Sequence, residues 1–104
     1  MLTHTVLLRL HRPVDSAARQ QLISGLQAFG TEAPFAVGPV SVGTDLQLRD
    51  AANPRVADVA MVMTFDTAED FAAYLDHPRH RGLVIDLLQP LCESWLSVQN
   101  EVPT

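Results

Sequence analysis

Hydrophobic and polar positions alternate at the start of the chain. Leu2, His4, Val6, Leu8 and Leu10 fall on one side of an extended segment, and Thr3, Thr5 and Arg9 on the other. That period of two predicts a first strand with one buried face, and His4 lies on it. After the polar turn His11-Arg12-Pro13-Val14, Asp15 stands as an N-cap. Ala18, Leu22, Leu26 and Phe29 then recur along one helical stripe, with Ile23 beside them and Gly30 placed as a stop. Glu32 to Pro39 is a connection rich in turn formers. Val40 and Val42 alternate with Ser41 and Gly43 to give a weaker second strand, and Asp45 to Pro54 reads as a polar loop or an irregular edge. Val56 to Phe65 is apolar on nearly both faces, which predicts a third strand inside its sheet rather than at an edge.

Two helices follow. Asp66 with Glu69, or Thr67 with Asp70, can form a capping box, and Phe71, Tyr74 and Leu75 then share one helical face. Pro78 biases His77 away from helical geometry, so this helix ends near Asp76. Proline also suits the first position of a new helix, which Asp76 or His77 can cap. In that helix His80, Val84, Leu87 and Leu91 recur at helical spacing, with Leu83 and Leu88 beside them. His80 therefore points where the apolar face points, either satisfied inside a core or lining a pocket within it. Trp95 to Val102 reads as a fourth strand, followed by a loose Pro103-Thr104 tail.

The order β-α-β-β-α-β is that of a ferredoxin-like α+β fold, an antiparallel sheet with helices on one face. One domain is expected over residues 1–104. The uncovered face of the third strand is nearly as apolar as the covered one. Leaving it wet forfeits on the order of 25 cal/mol for each Å² of apolar surface. Pairing two sheets face to face in a symmetric homodimer recovers that energy, so the expected partner is a second copy of this chain.

Composition narrows the function. The formal net charge is −5, and the seven cationic side chains are all arginine. No basic patch is apparent, which argues against nucleic acid as a partner. The absence of lysine excludes Schiff-base chemistry. Cys92 is single, so neither an intramolecular disulfide nor a cysteine-based metal site can form. No apolar run reaches membrane-spanning length and no secretory signal opens the chain, so the expectation is a cytoplasmic protein without a membrane partner. There is no glycine-rich phosphate loop, no serine in a nucleophile elbow and no distinctive haem signal; no cofactor is expected. His77 and His80 have metal-like spacing, yet Pro78 breaks the helix that would align them and no third ligand is in view, so no metal is expected either.

What remains is Tyr74-Leu-Asp-His77-Pro-Arg-His80. Together with His4-Thr-Val-Leu-Leu-Arg-Leu10 and Phe65-Asp-Thr-Ala-Glu-Asp-Phe71, this stretch resembles the stress-responsive A/B barrel (Dabb) family of dimeric α+β barrels. The C-terminal strand departs from the pattern, with Val98-Gln99-Asn100 where the family often shows Asp-Tyr. The family includes stress-associated plant proteins without established chemistry and a plant polyketide cyclase that makes olivetolic acid. That cyclase closes a ring by an aldol reaction without cofactor, using a histidine and a tyrosine that match His80 and Tyr74. The resemblance thus implies His80 as general base and Tyr74 as hydrogen-bond donor to a carbonyl or enolate. It also implies a pocket for a small apolar or carbonyl-bearing metabolite, lined by His4, Val6, Leu8, Leu22, Leu26, Met61, Met63, His77 and Leu83.

The chemistry is sound in itself. A neutral imidazole can take a proton α to a carbonyl, and a phenol can stabilise the oxyanion that develops. A non-catalytic stress or assembly protein, whose dimer is the working unit, is the alternative. A cofactor-free monooxygenase of the dimeric barrel type is a further one.

Overall fold

Strand β1 (Leu2–Leu10) is the spine of the sheet. It pairs antiparallel with β3 (Val59–Phe65) on one side and β4 (Cys92–Glu101) on the other. The short β2 (Ser41–Thr44) adds to the free edge of β3, giving the order β2-β3-β1-β4. This computed structural model describes residues 1–102, and the expected Pro103-Thr104 tail lies outside the described residues.

Helix α1 (Ser16–Gly30) and helix α2 (Ala68–Asp76) cover one face. The alternation read in β1 holds: Leu2, His4, Val6, Leu8 and Leu10 are all buried. They meet Leu22, Leu26 and Phe29 of α1 and Met61, Met63 and Phe65 of β3 in one core. The fold is ferredoxin-like α+β.

Local chemistry decides the element ends. Asp15 caps α1 by accepting from the Ala17 amide. Of the two capping options before α2, Thr67 is used: its hydroxyl accepts from the Asp70 N–H at 3.1 Å. His77 then stands between two helices, and its Nδ1 accepts from the Arg79 amide to cap α3 (Pro78–Leu83).

Four expectations need correction. Helix α3 does not run on regularly, because a π-helical turn (Val84–Leu88) and the short α4 (Gln89–Leu91) complete the helical stretch. Pro90 supplies the reason: it has no N–H for the carbonyl four residues back and its ring would strike it. Widening the turn relieves both problems, and the Gln89 N–H reaches back five residues to Val84. The same wide turn lies close against α1, where a Cβ built on Gly25 would sit 2.7 Å from the Leu87 side chain. Strand β4 starts at Cys92, three residues before Trp95, because the helical stretch passes into it without a loop.

Strand β3 starts at Val59, not Val56. Val56 is buried, but as part of a loop that folds back over Arg9. Arg9, assigned to the wet side of β1 by alternation, is buried there: its guanidinium donates to the Asn53 and Val56 carbonyls and to Glu93 at 2.9 Å. Beside it, buried Asp58 accepts from the Leu10 amide at 2.8 Å and from Arg12 at 2.7 Å. Cys92 is buried close by. Burial, and then the Asp58 charge, push its thiol up to about 11.

Candidate functional site

The first half of β1, the last turn of α2 and the start of α3 converge on a cavity of about 270 Å³ between helices and sheet. Strand alternation delivers His4 to it. Helical spacing in α2 delivers Phe71 and Tyr74, and the break at Pro78 turns the chain so that His80 arrives from the next helix. Ring centroids are 4.7 Å apart for Tyr74 and His80, 6.1 Å for His4 and Tyr74, and 4.8 Å for His4 and Phe71. Val6, Met61, Leu83, Val84 and Leu88 supply apolar walls.

Burial and hydrogen bonding together set the state of each ring. His80 Nδ1 lies 3.1 Å from the Leu75 carbonyl, one of the acceptors left over where α2 ends. A carbonyl can only accept, so Nδ1 carries the proton and Nε2 keeps a lone pair. Burial lowers the His80 pKa, and this bond opposes the shift only in part. The ring is therefore neutral and basic at neutral pH. For His4, burial first and the neighbouring His80 second bring the pKa down to about 4.

Tyr74 is 1% exposed, and burial raises the pKa of its phenol, so it keeps its proton. Among the described residues nothing hydrogen-bonds the Tyr74 hydroxyl, yet no buried polar side-chain atom is sealed away without a partner. The hydroxyl is thus open to the cavity that Tyr74 lines. It is a donor awaiting an acceptor.

The nine expected lining residues and the two expected catalytic ones separate into two groups. His4, Val6, Met61, Tyr74, His80 and Leu83 surround the cavity. Leu8, Leu22, Leu26 and Met63 do not: all four are fully buried against other side chains in the core. His77 also stays outside it, since its imidazole is turned to the Arg79 amide and lies edge-on to Phe35 at 6.1 Å. His77 and His80 thus face different partners. Among the described residues no three histidine, cysteine or carboxylate side chains come together as a metal-ligand set.

The sequence reading missed the contribution of β4. Trp95, Ser97 and Gln99 all line the cavity, and their i, i+2 spacing was the available signal. Gln99 pairs directly with His4 across the sheet, and its Nε2 lies 2.8 Å from His4 Nδ1.

Fold and site together define a ferredoxin-like α+β protein with a histidine- and tyrosine-lined cavity under its helices. The chain belongs to the stress responsive A/B barrel domain (Dabb) family, whose model matches residues 2–102. Among solved structures it is similar to a dimeric ferredoxin-like protein of unknown function from Thermobifida fusca. That pair shares 27% identity and a TM-score of 0.77, over 97% of this chain and 90% of the other. A Dabb family protein from Mesorhizobium loti has 19% identity and a TM-score of 0.76, over 99% and 96% of the two chains. A hydroxynitrile lyase from Passiflora edulis has 20% identity and a TM-score of 0.77, over 98% and 93%. No curated protein matches the chain by sequence. No helix among the described residues is long and apolar enough to cross a membrane.

Proposed function

We propose that this protein is a homodimeric acid–base catalyst that works without a cofactor on a small, uncharged carbonyl compound, as an aldol-type lyase or cyclase. One observation carries the reading: a neutral His80 and an unengaged Tyr74 hydroxyl share the wall of one cavity, their rings 4.7 Å apart. His80 Nε2 takes a proton from the carbon next to the carbonyl. The Tyr74 O–H donates to the oxygen on which charge builds, and the imidazolium then returns the proton to the product.

The lining limits the substrate. It contains no arginine and no carboxylate, so nothing there balances a formal charge on the ligand. A volume near 270 Å³ holds roughly a dozen non-hydrogen atoms. A hydroxynitrile lyase from Passiflora edulis is among the structures that share this fold, which supports the lyase reading; at 20% identity the likeness extends to the fold alone.

The homodimer follows from the uncovered face of the sheet. Leu7, Leu96 and Val98 are 44%, 73% and 58% exposed there, next to Ala60 and Val62 of β3. A second copy closing on this face removes that apolar surface from water. The related structure from Thermobifida fusca is of a dimeric protein. Sedimentation should give twice 11.4 kDa, and Leu96→Asp should shift it toward the monomer; a wild-type monomer at micromolar concentration would overturn the pairing.

For the reaction, exchange of α-protons in a panel of neutral ketones in D₂O, followed by proton NMR, is the direct test. The wild-type protein should accelerate exchange, and His80→Ala should lose ~10²–10⁴-fold of that acceleration while staying folded. If the folded wild-type protein exchanges none of them faster than free imidazole, the catalytic reading fails.

A further inference from the structure

We propose that Gln99 is a positioning residue that fixes His4 as an N–H donor, so that the cavity presents two donors and one base. The inference rests on the carbonyl-directed reading of the site, and three observations lead to it. First, β1 and β4 pair with His4 directly opposite Gln99, so both side chains stand on the same face of the sheet. Second, the Gln99 amide nitrogen has two acceptors within reach, His4 Nδ1 at 2.8 Å and Ser97 Oγ at 3.1 Å. Third, an amide nitrogen only donates, so its two hydrogens are both used and His4 Nδ1 must accept.

The consequence is a tautomer. A neutral His4 whose Nδ1 accepts carries its proton on Nε2, and the ring lines the cavity beside Tyr74. Burial and the proximity of His80 keep His4 neutral at ordinary pH, which makes the tautomer the relevant variable. In the opposite tautomer Nε2 would show a lone pair to an incoming carbonyl oxygen and repel it. Gln99 thereby decides whether His4 helps Tyr74 hold a developing oxyanion or opposes it. In this orientation of the amide, Ser97 Oγ takes the second hydrogen. No such role was visible in the β4 sequence, where Ser97 and Gln99 resemble the polar residues of any exposed strand.

Long-range proton–nitrogen correlation NMR on the ¹⁵N-labelled protein at pH 7 reads the tautomer directly. The wild-type His4 signal should show Nε2 protonated and Nδ1 bare. In Gln99→Glu the carboxylate can only accept, so the proton should appear on Nδ1, as the other tautomer or as imidazolium. Gln99→Ala should leave a mixture. Should Gln99→Glu not fold, Gln99→Ala, which removes the donor from a solvent-exposed strand, decides the matter. A wild-type His4 protonated on Nδ1, or an unchanged Nε2–H signal in the substituted protein, would overturn the assignment. The α-proton exchange assay is independent of this readout: inactivity of wild-type protein there would remove the reaction while leaving the tautomer result standing.

Discussion

Two polar clusters hang from the two ends of β1, and they are built to opposite rules. At the far end Arg9, Arg12 and Asp58 are buried or half-buried, and Asp58 accepts from Arg12 and the Leu10 amide while Arg9 reaches two carbonyls and the exposed Glu93 carboxylate. At the near end His4, Tyr74 and His80 are also withdrawn from water, yet each ring uses at most one polar atom on the protein. Saturated groups hold a loop in place. Half-used groups are available to something that is not protein. Burial alone does not distinguish the two; the count of open donors and acceptors does.

The largest effect should come from breaking the saturated end. Asp58→Ala removes the charge partner of the half-buried Arg12 and orphans the Leu10 amide, and should cost about 3–5 kcal/mol in a denaturant titration. If the loss is below ~1 kcal/mol, this cluster is not what pins the loop.

Next in size is the pH dependence of stability at the other end. Both imidazoles have lowered pKa values in the folded protein, His4 to about 4, so the unfolded chain binds protons first as the pH falls. Their contribution is fully present above pH 6.5 and is lost as the pH drops toward 4. For His4 this is worth on the order of 2–3 kcal/mol. His4→Phe should flatten the stability-versus-pH curve across that window relative to wild type, and parallel curves for the two proteins would contradict the assignment.

The smallest effect should be Tyr74→Phe. The hydroxyl has no protein partner to lose, so unfolding free energy should change by less than about 1 kcal/mol while α-proton exchange falls. A large destabilisation would place that hydroxyl among the saturated groups after all.

Much of the architecture could be read in advance because it depends on local periodicity. Alternation in β1 put His4 on the covered face, and helical spacing on either side of Pro78 put Tyr74 and His80 on apolar helix faces. Periodicity reports that a side chain is covered without saying whether the cover is another side chain or an empty space. For that reason Leu8, Leu22, Leu26 and Met63 looked like wall residues and are packing residues. Arg9 and Gln99 escaped for a different reason. Their partners, Glu93 and His4, lie 84 and 95 positions away along the chain, and only the strand register brings them together. The wide turn at Val84–Leu88 was announced by Pro90, a signal that the run of leucines around it masked.

Cys92 marks the place where helix becomes strand beside the Asp58 carboxylate, and it is the lone sulfhydryl in the chain. With its acidity suppressed to about 11 it stays protonated and unreactive under physiological conditions, so it is a silent probe rather than a redox centre. Alkylation by iodoacetamide would then require a transient opening that exposes this buried thiol. The labelling rate becomes a stopwatch for breathing at that end of the molecule.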